Sequence, residues 1–305
     1  MSAPANPVRH PIAGAVCGLA SAVLFGASAP IAKRLLPGFS SLALAGLLYG
    51  GSAIGLSIVR MSTTLRERAP ADERWSARER WLMVGSAAFG GVIGPVLMLT
   101  GLRRVSGVAG ALLLNLEALF TILLAVIVFG DRLRRHEVAG VALILAGAVV
   151  ISYGPGELAA AFLGVACLVG ATLSWGLDNN LMQRLSARDP LRIVQIKAAT
   201  ATCFSLAMTW PRGIDAPARI IAAALALGFV SYGISVVLDV YALRFVGAAR
   251  EGAYFATAPF AGALLALPVL GERIGAKEIV AGTLMALGVW RLATARAQGS
   301  ADNGR

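Results

Sequence analysis

One arrangement of apolar runs occurs twice in this chain, and it limits the fold more than any single motif. Leu102 to Gly147 is an apolar run, a short Gly-Asp-Arg break and a second apolar run, and Leu243 to Gly288 repeats that layout without a gap. A shift of 141 positions superimposes Arg103 on Arg244, Gly130 on Gly271, Asp131 on Glu272, Arg132 on Arg273, Glu137 on Glu278 and Gly147 on Gly288. Apolar matches come cheaply in a leucine- and alanine-rich chain, but Gly, Arg and Glu matches at one fixed shift do not, so the pattern is a duplication. Each copy has the form of a transmembrane helical hairpin. A weaker echo at a shift of 150 sets Gly14, Cys17, Gly26, Arg34 and Leu35 on Gly164, Cys167, Gly176, Arg184 and Leu185. The first run therefore counts as a span, since a cleavable leader would not recur in mid-chain.

Water is the wrong solvent for such a chain. Charged residues make up 14% of it and apolar ones 57%, against about 25% charged in a soluble domain. Lipid leaves helices as the spanning solution here, because backbone polar groups must be satisfied within the segment. The net charge of +11 lies in short breaks between apolar runs, with no basic face interleaved with aromatics. It therefore fits anchoring at membrane lipids and not nucleic acid. Cys17, Cys167 and Cys203 fall inside apolar runs at no metal-ligand spacing, which excludes a disulfide framework and a zinc site.

Ten runs of about spanning length follow in order. The first five are Ile12–Ala29, Phe39–Val59, Trp81–Gly101, Val105–Phe129 and Val138–Tyr153, ending at Gly154-Pro155-Gly156. The second five are Leu158–Leu181, Leu191–Trp210, Ile220–Tyr241, Ala248–Leu270 and Ile279–Ala293. The expected fold is an all-α polytopic membrane protein with a first five-helix repeat over 12–153 and a second over 158–293. Short cytoplasmic tails at 1–11 and 294–305 flank them, the last being polar and expected to be disordered. The segment from Arg60 to Arg80 is expected to be a solvated or surface-lying loop. With the N-terminus inside, cytoplasmic segments hold 18 Lys and Arg residues against 8 in the outer ones, Lys197 lying within a span. Both termini are therefore expected in the cytoplasm of a cell with this protein in its inner membrane. Five is odd, so the second repeat enters from the opposite side, a layout that recurs in secondary transporters with a site near the midplane.

The two copies, with Leu-Arg-Arg-Val-Ser, Leu-Glu-Ala-Leu-Phe and Gly-Asp-Arg-Leu in one and Leu-Arg-Phe-Val-Gly, Ala-Pro-Phe and Gly-Glu-Arg-Ile in the other, resemble the ten-helix EamA-type members of the drug/metabolite transporter superfamily. The resemblance runs from about Ile12 to Ala293. It implies export or exchange of a small metabolite, such as an amino acid, a related metabolite or a drug, through a central cavity by alternating access. Family members typically carry a Glu-Pro pair, or one like it, in the fourth and ninth helices. Here the first copy keeps Glu117 beside Ala118, and the second keeps Pro259 beside Ala258. The alternative class is a non-transport scaffold or sensor with a sealed polar cavity.

The informative residues are polar ones inside spans, where each charge costs roughly 2.5–3.5 kcal/mol on insertion scales. Glu117 lies near the middle of the fourth run with Asn115 close by, and its repeat mate is Ala258. A carboxyl at that depth can take up and release a proton as a cavity faces alternate sides, which makes protons the candidate coupling ion. Trp175, Asp178, Asn179 and Met182 fall on one helical face by their spacing and are expected to form a pocket wall, with Tyr254 and Phe255 facing the same cavity. Asp178 and Lys197 lie at nearly equal distances from a turn near Ala187 and Arg188, and Asp239 and Arg250 from one near Phe245. Both pairs are expected to be ion pairs that neutralise buried charge. The spacings Gly46/Gly50, Gly51/Gly55 and Gly90/Gly94 fit close helix packing within one bundle, in a monomer or a homodimer. No G-x-x-x-x-G-K-[ST], H-E-x-x-H or Ser/His/Asp set is present, so no enzyme activity, cofactor or metal is expected.

Overall fold

The computed structural model describes residues 11–61, 75–129, 135–152, 158–185 and 188–302, and among them every regular element is helical. The first half contains α1 (Pro11–Gly26), α2 (Ser28–Leu35), α3 (Ser41–Met61), α4 (Ala77–Ser86), α5 (Gly94–Leu102), α6 (Gly107–Leu113), α7 (Leu116–Phe129) and α8 (Arg135–Ser152). The second contains α9 (Leu158–Gln183), α10 (Pro190–Thr209), α11 (Ala218–Gly228), α12 (Ser235–Val246), α13 (Ala248–Phe255), α14 (Ala258–Leu270) and α15 (Ala276–Asp302). Several of these join into longer rods, because π-helical turns at Ala87–Ile93 and Phe229–Ile234 carry α4 into α5 and α11 into α12.

Seven helical stretches are long and apolar enough to cross a bilayer: Pro11–Gly38, Ser41–Met61, Ala77–Leu102, Gly107–Val128, Phe162–Gln183, Ala218–Val246 and Arg250–Leu270. Glu137–Ser152 is apolar but shorter. The other two expected runs fall on α10, which carries Arg192, Gln195 and Lys197, and on α15. Ile12, Val16, Leu19 and Val23 expose one apolar stripe along α1, and Phe162, Ile127 and Trp210 stand out further. So much exposed apolar surface suits lipid and not water.

Two local outcomes differ from expectation, and a third agrees with it. The third rod begins at Ala77, before Trp81, because Ser76 and Glu79 form a reciprocal capping box that satisfies its first N–H groups. The C-terminal segment expected to be disordered is helical to Asp302, since Ala, Arg and Gln between 293 and 298 are good helix formers. The hairpin turn at Gly271 is a left-handed glycine cap with φ 68°. The turn at Gly130, the break at 154–156 and most of the loop at 60–80 lie outside the described residues.

Packing pairs each element of one half with a corresponding element of the other. Helix α1 lies along α12 and α14, while α9 lies along α5 and α7; α3 runs against α10, and α8 against α15. The contacts correspond residue by residue. A Cβ on Gly26 would sit 2.1 Å from the Ala258 carbonyl oxygen and 3.0 Å from the Gly262 nitrogen, and one on Gly176 would sit 2.9 Å from the Thr121 nitrogen. Gly176 and Thr121 are the mates of Gly26 and Gly262 at the two shifts found in the sequence. Likewise a Cβ on Gly140 would sit 2.9 Å from the Gly288 carbonyl oxygen, and one on Gly147 would sit 2.8 Å from that of Ala281. The glycines at 46, 50, 51, 55, 90 and 94 all meet other helices of the same chain, so their role is close packing within the bundle.

Candidate functional site

Two helix breaks create the site. Residues Leu114 and Asn115 interrupt α6 and α7, and Ala256 and Thr257 interrupt α13 and α14 one residue beyond the corresponding place in the other half. Tightened turns carry the chain across each: the Asn115 N–H donates to Leu112 and that of Glu117 to Leu114, while the Thr257 N–H donates to Tyr254. Between the breaks lies a cavity of about 350 Å³ lined by Phe25, Leu114, Asn115, Glu117, Thr121, Asn179, Asp239, Glu251, Phe255 and Pro259, among others.

Its polar wall has two parts. Asn179 is open to the cavity and donates its amide to Glu117 Oε1 at 2.8 Å and to Thr121 Oγ1 at 3.2 Å. Asn115 is buried and donates to the Leu112 carbonyl at 2.8 Å. Opposite, Asp239 of α12 and Glu251 of α13 line the same cavity, and two carboxyls held together favour sharing a proton. Asp239 Oδ1 is buried without a hydrogen-bond partner. Arg250, expected to pair with Asp239, is instead exposed. The chain turns at Gly247 (φ 79°). Glu251, and not Arg250, lies as far after Phe245 as Asp239 lies before it, and one helical position rotates a side chain by about 100°, so Glu251 faces inward in its place.

The six candidate site residues divide. Glu117, Asn115 and Asn179 line the cavity. Trp175 and Asp178 face the π-helical turn at 87–93 instead. There the Gly94 N–H reaches back to Phe89, five residues earlier. The same register would give the Gly90 carbonyl the N–H of residue 95, which is proline and has none. Two side chains replace it: Tyr49 Oη donates at 2.7 Å and Trp175 Nε1 at 3.2 Å. Beside them Lys197 Nζ meets Asp178 Oδ2 at 2.7 Å, and Ser86 Oγ donates to Asp178 Oδ1 at 2.5 Å. Tyr254 packs on Gly18 of α1 and is not a lining residue; Phe255 is. Met182 packs with Met83, Leu185 and Ile193.

An aromatic row joins the two polar groups. Phe255 meets Phe25 at 5.1 Å between ring centroids, Phe25 meets Tyr232 edge-on at 5.5 Å, and Tyr232 stacks on Tyr49 at 5.8 Å. Sequence reasoning missed Glu251, Phe25, Thr121 and Tyr49. Glu251 was detectable as a second acid across the hairpin from Asp239. Among the described residues no group of three or more His, Cys, Asp or Glu could hold a metal ion.

At the end of the bundle away from the Gly247 turn, hydrogen bonds tie the helices together. Lys33 Nζ donates to the carbonyls of Leu102 at 2.6 Å and Val105 at 2.5 Å, and Arg103 donates to those of Leu36 and Phe39. Glu272 accepts the N–H groups of Gly107 at 2.6 Å and Val108 at 2.9 Å, capping α6 across the two halves.

A family model described as the EamA-like transporter family matches the chain twice, over residues 12–153 and 162–294. A protein of Methanothermobacter thermautotrophicus named as an uncharacterized transporter is 28% identical over 295 residues, covering 92% of this chain and 85% of its own length. A solved crystal structure superposes with a TM-score of 0.64 at 18% identity, over 92% of this chain and 96% of that one, a likeness of fold.

Proposed function

Given that this chain belongs to the EamA-like transporter family, we propose that it is a secondary transporter that exports or exchanges a small metabolite by alternating access to the cavity between its halves. The observation that carries this reading is the cavity itself, lined from both halves at helix breaks that lie within one residue of the same place in each. Inverted-repeat transporters place their sites at such interrupted helices. The finer architecture is ten spans in two inverted five-helix repeats, over 12–153 and 158–293, in the inner membrane with both termini cytoplasmic. The reciprocal contacts Gly26–Gly262 and Gly176–Thr121, and Gly140–Gly288 and Gly147–Ala281, support the inversion. In this orientation Asp239 and Glu251 lie toward the cytoplasm and the ties from Lys33, Arg103 and Glu272 lie outside, so the cavity faces inward.

Proton coupling centres on Glu117. Its carboxyl is met by Asn179, with Thr121 one turn on and the Asp178–Lys197 pair close enough to act on it electrostatically. Exchange of a proton at Glu117 as the cavity changes sides supplies the coupling. The test is a metabolite-sensitivity screen of a strain lacking the gene against one overproducing it. Opposite shifts in tolerance to the same compound support transport; identical tolerance to every compound tried counts against it.

A further inference from the structure

The cavity has the opposite charge character to the chain that encloses it. The protein carries a net charge of +11, yet among the described residues the ionisable side chains lining the cavity are Glu117, Asp239 and Glu251, with no Lys, Arg or His beside them. Nearby cations do not compensate: Lys197 is bound to Asp178, and Arg250 is exposed and outside the lining. Asp239 Oδ1 is buried with no hydrogen-bond partner among the described residues. Carboxyl oxygens in a mostly apolar wall are costly without donors, and a ligand bringing N–H groups into the cavity supplies them. Phe25 and Phe255, 5.1 Å apart, line the same space, and aromatic faces attract cations.

From these features we infer that the cavity takes a small organic amine, its ammonium held by the Asp239–Glu251 pair and Glu117 and its apolar body lying against Phe25 and Phe255. This deepens the transport reading and rests on the cavity being the substrate's site. A hard metal cation needs about six oxygen ligands, and the lining is mostly apolar. A ligand with a carboxylate would meet three acids and no basic side chain, so an amine without a carboxylate is favoured over an amino acid. The volume of about 350 Å³ fits a molecule with one small ring and a short arm.

Isothermal titration of the purified full-length chain in nanodiscs tests this with phenethylamine, phenylalanine and hydrocinnamate, which share an apolar body and carry a cation, a zwitterion and an anion. Phenethylamine should bind about tenfold or more tightly than the other two. Asp239→Asn combined with Glu251→Gln should weaken it by a similar factor. Phenylalanine or hydrocinnamate binding as well as phenethylamine, no binding of phenethylamine, or unchanged affinity in the double variant would each overturn the inference. The ligand comparison needs only the unaltered chain, so a misfolded variant does not block it. Counterflow in liposomes separates the two readings: phenethylamine bound but never carried would leave this inference standing and remove transport. Another compound carried while phenethylamine stays unbound would do the reverse.

Discussion

Lys197→Met removes the ammonium that meets Asp178 at 2.7 Å while keeping most of the side chain's length. Asp178 is 4% exposed and the Lys197 side chain 13%, so water cannot take the partner's place. The carboxylate would keep only the Ser86 hydroxyl at 2.5 Å. Removing one member of a buried ion pair costs about 3–5 kcal/mol, because the other charge is left uncompensated. Adding Asp178→Asn removes that charge and keeps an acceptor for Ser86, leaving a loss of about 1–2 kcal/mol. The double variant should therefore be more stable than Lys197→Met alone by about 2–3 kcal/mol, measured by SDS-titrated unfolding of the purified protein in mixed micelles. Exchanging the two residues should not rescue, since a Cβ on Gly90 would already lie 1.9 Å from Asp178 Oδ2 and the site has no room for a lysine. A cost below about 1 kcal/mol for Lys197→Met, or a double variant as damaged as the two singles added together, would refute the reasoning.

Gly51→Ala and Gly228→Ala should each destabilise by about 1–3 kcal/mol or more, because either Cβ would lie 1.9 Å from a carbonyl oxygen, that of Leu225 or Leu48; Gly282→Ala, with nothing nearer than 3.8 Å, should unfold within about 0.5 kcal/mol of the unaltered chain in the same assay. Reporter fusions after Trp75 and after Arg305 should both report cytoplasm, and a periplasmic signal from either would overturn the orientation drawn from the 18-to-8 asymmetry of Lys and Arg. Glu117→Gln should insert and fold normally, keeping a partner for Asn179, yet lose the pH dependence of efflux; full transport with unchanged pH dependence would remove Glu117 from the coupling.

The fold was legible where the two copies could be compared. The 141-residue shift marked the hairpin turn at Gly271 and paired Glu117 with Ala258, but the helix breaks at 114–115 and 256–257 fall inside runs that read as continuous spans. Equal distances from a turn were enough to bring Asp178 and Lys197 together. The same rule missed by one position for Asp239 and Arg250: the residue as far after Phe245 as Asp239 lies before it is Glu251, and one helical position turns Arg250 outward. Helical spacing also overstated the single face holding Trp175, Asp178 and Asn179. Consecutive residues diverge by about 100°, which sends Asp178 to Ser86 and Lys197 but Asn179 to Glu117. The π-helical turns leave no mark on apolar periodicity. In the first copy the hint was Gly90, Gly94 and Pro95, a proline placed to orphan one carbonyl; the second copy makes its turn without a proline.

Alternating access is the central claim, and it can be tested without knowing the substrate. Ala118 lines the cavity beside Glu117. With Cys17, Cys167 and Cys203 replaced by serine, Ala118→Cys offers one thiol inside the cavity. Labelling by a membrane-impermeant thiol reagent is then compared in right-side-out and inside-out vesicles. Modification is expected from both faces, faster from the cytoplasmic one. Modification from one face only, under every pH gradient applied, would contradict it.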